Sequence, residues 1–113
     1  MMLECLFCKI RDGEVSADII FEDDECLAFR DINPKAPVHF LVVPRRHIAN
    51  LWDTTDADES LLGRIQLKIP KIAKEQGLDS GFRTVLNTGP GGRQEVYHMH
   101  YHVLGGGPFT GFN

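Results

Sequence analysis

The spacing of apolar residues along the chain changes several times, and each change marks an element. Residues 5–11 predict a short helical turn closed by Gly13. Residues 19–22 read as a short strand, Asp23 and Asp24 as a turn, and residues 26–32 alternate as a second strand. Asn33-Pro34 and Ala36-Pro37 interrupt the sheet before the apolar run of residues 39–43, which Pro44 stops. A long helix is predicted over 57–76, because Leu62, Ile65, Ile69, Ile72 and Ala73 recur at helical spacing. Asp56 is its expected N-cap, Glu59 the capping-box partner and Gly77 the stop. Pro70 removes one N–H inside this helix and crowds the carbonyl of Gln66, which predicts a kink. Residues 82–87 form a further strand, a glycine-rich loop covers 88–93, and a last strand runs from 96 to 104. About five mostly antiparallel strands, one long helix and a short N-terminal helix make one α+β domain over 1–113.

Composition narrows the function classes. A hydrophobic content of 42% and a charged content of 25% suit a globular domain. No apolar run is long enough to span a bilayer, and residues 1–5 lack the basic start of an export signal, so a cytoplasmic location is expected. The net charge of −4 argues against a nucleic-acid polymer, which favours a basic face. It permits a mononucleotide, whose phosphate needs only a few donors.

Histidine placement carries the chemistry. His98, His100 and His102 alternate with Met99, Tyr101 and Val103. On an extended strand alternate residues point the same way, about 6.6 Å apart, so the three imidazoles share one face and the apolar set the other. A lone strand histidine is usually a satisfied polar residue; three at strict alternation beside a glycine-rich loop call for chemistry. Two readings are open on the residues alone: a metal clasped by two or three of the rings, or one ring attacking phosphorus while its neighbours bind the oxygens. An imidazole suits the second task because its pKa of about 6.5 leaves it mostly neutral at pH 7. Activity should then fall below about pH 6.

The run His98-Met99-His100-Tyr101-His102-Val103-Leu104 resembles the motif of the histidine triad (HIT) family. The lead-in Gln94-Glu95-Val96-Tyr97 and the exit Leu104-Gly105-Gly106 are similar to the bacterial Hint branch. Further windows agree in order along nearly the whole chain: residues 7–10, 22–24, 28–39 and 59–63. The resemblance implies a HIT-like fold and hydrolysis of purine nucleoside 5′-phosphoramidates through a nucleotidyl-histidine intermediate. His100 would be the nucleophile, His102 would bind the phosphoryl oxygens and His98 would support the triad. Asn87 would contact the phosphate or ester oxygen and Asp31 the ribose hydroxyls, with Phe29 and Ile32 as an apolar wall for the base. Gln94 belongs to the same nucleotide-binding set. Glu95, where a serine often stands in eukaryotic relatives, could protonate or orient an amine leaving group. Arg93 replaces the usual glycine, and either adds charge near the phosphates or restricts the loop. A two-fold homodimer is also implied, with Trp52 and the 57–76 helix as contact candidates. Two other classes stay open: a nucleotide-binding adaptor or sensor with little turnover, and a metal-dependent hydrolase using the triad as ligands.

Cys5 and Cys8 form a C-x-x-C pair, with Cys26 apart. Two buried thiols on one face of a helical turn would account for the spacing, and a redox pair is a further reading. The resemblance implies a structural zinc held by Cys5, Cys8, His47 and His98.

Overall fold

A computed structural model describes residues 4–111. Met1–Leu3, at the head of the N-terminal segment read above, and Phe112 and Asn113 of the C-terminal tail lie outside the described residues. A short helix α1 (Leu6–Arg11) precedes strands β1 (Ile19–Glu22), β2 (Cys26–Arg30) and β3 (Val38–Pro44). The long helix α2 (Glu59–Glu75) follows, then β4 (Arg83–Leu86) and β5 (Tyr101–Gly105). The strands form one fully antiparallel sheet in the order β1-β2-β3-β5-β4. The α+β reading is therefore what the chain adopts.

Alternation along the central strands sorts the side chains onto two faces. Cys26 and Ala28 of β2, Phe40 and Val42 of β3, and Tyr101 and Val103 of β5 point to one side. There they pack with Ile65, Ile69, Ile72 and Ala73 of α2. Leu27 and Phe29, with Leu41 and Val43, point to the other side and pack under Phe7 and Ile10 of α1. Because α1 is only 6 residues long, it covers part of its face. The uncovered part is where the site forms.

Two local readings, the capping box and the start of the last strand, need correction. The capping box lies one residue earlier than Asp56 and Glu59. The Thr55 hydroxyl accepts from Ala57 N–H, while the Asp58 carboxylate accepts from Thr55 N–H at 2.9 Å. Asp58 is buried and also bonded by Arg46, so a 3₁₀ turn over Asp56–Asp58 leads into α2. The helix runs through Pro70 without a break; Pro70 and Gln66 are both exposed, so the carbonyl freed at Gln66 lies on the solvent side. The last strand begins at Tyr101, not near Val96. Its partner β3 ends at Pro44, which has no N–H, and the Pro44 carbonyl is taken by the ring of His98 at 2.7 Å. Met99 N–H bonds instead to the Ile48 carbonyl, also at 2.7 Å. Side-chain alternation nonetheless persists: Met99 is in the α2-side core while His98 and His100 lie across from it beside Phe7.

Ile65 is fully buried and Leu67 is 73% exposed on the same helix. Ile65→Ala should cost roughly 2–5 kcal/mol, whereas Leu67→Ala should stay within about 0.5 kcal/mol. Urea midpoints of the two variants check this, and equal midpoints would contradict the packing described.

Candidate functional site

On the α1 side the sheet floors a cavity of about 710 Å³. Register explains its floor. His39 of β3 stands opposite Leu104 of β5, Leu41 opposite His102, Val85 of β4 opposite His102, and Arg83 opposite Leu104. All six side chains line the cavity. His100 enters from the segment before β5, Asn87 from just after β4, and Asp31 from the turn after β2.

The hydrogen bonds assign the ring protons. His100 Nδ1 lies 2.8 Å from the carbonyl of His98. A carbonyl only accepts, so Nδ1 carries the proton and Nε2 keeps its lone pair. The backbone N–H of Lys35 donates to His39 Nδ1 at 3.0 Å, so the His39 proton is on Nε2. That proton is given to His102 Nδ1 at 2.9 Å, with a carboxylate oxygen of Asp31 at 3.5 Å from the same nitrogen. His102 is thereby left with a proton on Nε2. The cavity thus meets one nucleophilic nitrogen, from His100, and one N–H donor, from His102.

Burial sets the charge state. It pushes His102 down to about 4, with the neighbouring His100 and His39 adding to the effect. It lowers His39 too, against the partial offset of Asp31. It also lowers His100, where the His98 carbonyl, Asp31 and Glu95 pull the other way. Desolvation disfavours the charged ring, and the carboxylates are too few to restore it.

His98 has a different post. Burial pushes it down to about 4, and its Nε2–H donates to Pro44, which aims Nδ1 at the thiols. That nitrogen is 3.3 Å from Cys5 Sγ, 3.5 Å from Cys8 Sγ and 3.2 Å from His47 Nδ1; Cys8 Sγ is 3.5 Å from His47 Nδ1. Tetrahedral zinc with two sulfur and two nitrogen ligands sets them about 3.3–3.7 Å apart, from bond lengths of about 2.0–2.3 Å. The donor set and spacing fit such an ion, and the outer hydrogen bond to Pro44 is the support a metal-binding imidazole usually has. Cys26 is buried in the other core and takes no part. Asp31, His39 and His102 also bring ligand atoms within 4.8 Å of one another, but the protons assigned above already bond the two rings to each other.

Of the residues expected at the nucleotide site, His100, His102, Asp31, Asn87, Arg93 and Glu95 line the cavity. Gln94 does not: its buried amide accepts from Gly89 N–H at 2.9 Å and donates to the Ala49 and Val96 carbonyls, so it ties the loop down. Phe29 is buried behind Phe7, ring centroids 5.3 Å apart, and Ile32 is 90% exposed beyond Asp31. Gly89 is needed where it is, since a Cβ there would lie 2.6 Å from the Trp52 ring. His39 opens the run 39–43, which its apolar neighbours mark as a core strand, and it lines the cavity all the same. A histidine two residues before Leu41, in a run otherwise apolar, was the available signal.

The family described as scavenger mRNA decapping enzyme C-term binding matches residues 4–110. An uncharacterized HIT-like protein of Synechococcus elongatus is 53% identical over 94% of this chain and 93% of its own length. The chain belongs to the HIT family. Protein HitA of Neisseria gonorrhoeae, a second relative of this HIT chain, is 47% identical over 92% of this chain and 97% of its own. A HIT family hydrolase from Legionella pneumophila superposes with a TM-score of 0.93 at 49% identity, over 96% of this chain and 98% of that one. A histidine triad protein from Clostridium difficile gives 0.93 at 45% identity, over 100% and 99%. Among the described residues of this HIT protein, no helix is long and apolar enough to cross a membrane.

Buried neutral imidazoles make stability depend on pH. His102 titrates near 6.5 when unfolded and about 4 when folded. The unfolded chain takes up the proton first, so this stability is present above about pH 6.5 and is lost as pH falls through about 4. Asp23, pushed down to about 2 by the Lys68 ion pair and two backbone N–H groups despite its burial, acts in a separate window below about pH 4. The melting temperature should decline between about pH 6.5 and 4, less steeply in His102→Gln. Parallel profiles for wild type and variant would contradict the assignment.

Proposed function

We propose that this HIT protein hydrolyses purine nucleoside 5′-phosphoramidates in the manner of the Hint branch, through a nucleotidyl intermediate on His100. The observation that carries the reading is the bond from His100 Nδ1–H to the His98 carbonyl. It leaves Nε2 unprotonated at the cavity and outside both groups of metal-binding side chains. In the first step Nε2 bonds to the α-phosphorus and the bond to the leaving nitrogen breaks, that nitrogen taking a proton. Water then cleaves the phosphorus–nitrogen bond to His100 and releases the 5′-phosphate.

His102 Nε2–H and Asn87 serve the phosphoryl oxygens, where a donor is worth most as charge develops. His39 fixes the His102 tautomer from behind. Asp31 accepts the ribose hydroxyls, Ile32 offers an apolar edge to the purine, and Phe29 backs it. Glu95 stands near enough to act electrostatically on His100, which suits delivery of a proton to the amine. Cys5, Cys8, His47 and His98 would hold a structural zinc, which ties α1 to the segment before β5. A mononucleotide in the cytoplasm, rather than a nucleic-acid polymer, is the substrate this pocket and the net charge of −4 suit. A homodimer joined along the open edge of β4 would cover that edge, and the exposed Trp52 and the α2 helix, with its exposed Leu67, are candidates for contact.

Replacing the nucleophile tests the reading. His100→Asn should lower kcat on adenosine 5′-phosphoramidate by about 10³-fold or more while adenosine monophosphate still binds. Unchanged turnover would overturn it, and loss of wild-type activity on chelation would favour the metal-dependent alternative. Purified protein should carry one zinc per chain, and its removal should lower the melting temperature. A zinc content near zero with an unchanged melting temperature would remove the metal.

A further inference from the structure

The three cysteines differ in their surroundings. Cys26 is fully buried in the α2-side core, whereas Cys5 and Cys8 are half-buried beside the exposed His47, within reach of a small solute. Cys5 caps α1, and its sulfur accepts from the Cys8 N–H at 3.3 Å. The two sulfurs lie within 4.8 Å of each other, and C-x-x-C pairs one turn apart are a spacing that closes into disulfides. Two supports of the nucleophile start from this turn. His98 faces the thiols with its ring, Nδ1 at 3.3 Å from Cys5 Sγ, and holds His100 with its backbone, the carbonyl accepting from His100 Nδ1–H at 2.8 Å. Phe7 lies between the two cysteines in sequence. Its buried ring meets those of His98 and His100 edge-on, with centroids 6.0 and 5.1 Å apart. A change in the bonding of Cys5 and Cys8 therefore reaches His100 by both routes.

We propose that Cys5 and Cys8 are a thiol switch on His100: a hydroperoxide oxidises them to a disulfide, which releases the metal and stops hydrolysis. This rests on the phosphoramidate and zinc readings above. In the first step one thiolate attacks a peroxide oxygen, an S–O bond forms as the O–O bond breaks, and the departing oxygen takes a proton. The other thiolate then attacks that sulfur, the S–S bond forms, and hydroxide leaves and is protonated. The sulfurs lose two electrons and the hydroperoxide gains them, ending as an alcohol and water. Two imidazoles remain of the four ligands, too few for a closed structural site. His98 Nδ1 is then left without its partner in a fully buried ring, so the residue shifts and His100 loses the carbonyl that fixed its proton.

The test treats the zinc-loaded chain with hydrogen peroxide and then with dithiothreitol. The oxidised protein should keep one free thiol of its three, weigh two hydrogen atoms less than the reduced chain, and give up its zinc to a chelating dye. Nitrogen NMR should find His100 protonated at Nδ1 before treatment and exchanging between its two nitrogens afterwards. Turnover of adenosine 5′-phosphoramidate should fall by about tenfold or more in kcat/KM, and dithiothreitol with zinc should restore every readout. Cys8→Asp keeps a possible zinc ligand; it should form no disulfide and lose less of its own activity to peroxide. Thiols that survive peroxide, a disulfide that leaves the His100 spectrum and turnover unchanged, or an equal reversible loss in Cys8→Asp overturns the switch. A chain without turnover or without zinc before treatment sinks those readings instead, while the thiol count and the His100 spectrum still decide this one.

Discussion

The bond between the His100 ring and the carbonyl of His98 is the constraint on which the site depends. It determines which nitrogen of residue 100 bears the proton, and it exists only because the chain leaves the ladder between Pro44 and Tyr101. In a continued strand the His98 carbonyl would be drawn into cross-strand pairing. Instead the backbone before β5 is held by Ile48 and by the buried Gln94 amide, and the His98 ring by the Pro44 carbonyl. Irregular backbone at this point is thus a working part of the structure, supported on each side by regular elements.

A second constraint is burial. Buried imidazoles lose contact with water, which lowers the pKa of His100 and pushes His102 down to about 4. Neutral rings can act as donors and acceptors in series. The Lys35 N–H sets His39, His39 sets His102, and the final N–H faces the cavity. The same burial that favours the neutral His100 and His102 rings removes stability in acid, so the charge state of the cavity and the stability of the fold share one electrostatic origin.

Much of the architecture was legible because alternation and helical spacing report one-sided burial, which is a local property of the chain. The strands, the long helix and the two faces around residues 98–103 all follow from it. The capping position was not legible, since Asp58 is drawn inward by Arg46 from a distant segment. Nor was the start of β5, which depends on where the partner strand runs out at Pro44. His39 escaped notice because its role comes from a neighbour 63 positions away in sequence. The bonds of the Gln94 amide to Gly89, Ala49 and Val96 were equally out of reach, since two of those partners are set by how the loop and the 44–50 segment fold together.

The sequence by itself determined which residues turn toward the helix and which toward the cavity, because side-chain period is a consequence of backbone geometry alone. It also placed the three histidines on one side. Only the tertiary structure divided them, one to the thiols and two to the cavity, because α1 returns across the sheet and brings Cys5, Cys8 and Phe7 to the face where the rings emerge. Ring tautomers likewise belong to the fold, since a proton's place on an imidazole depends on which partner the other nitrogen meets.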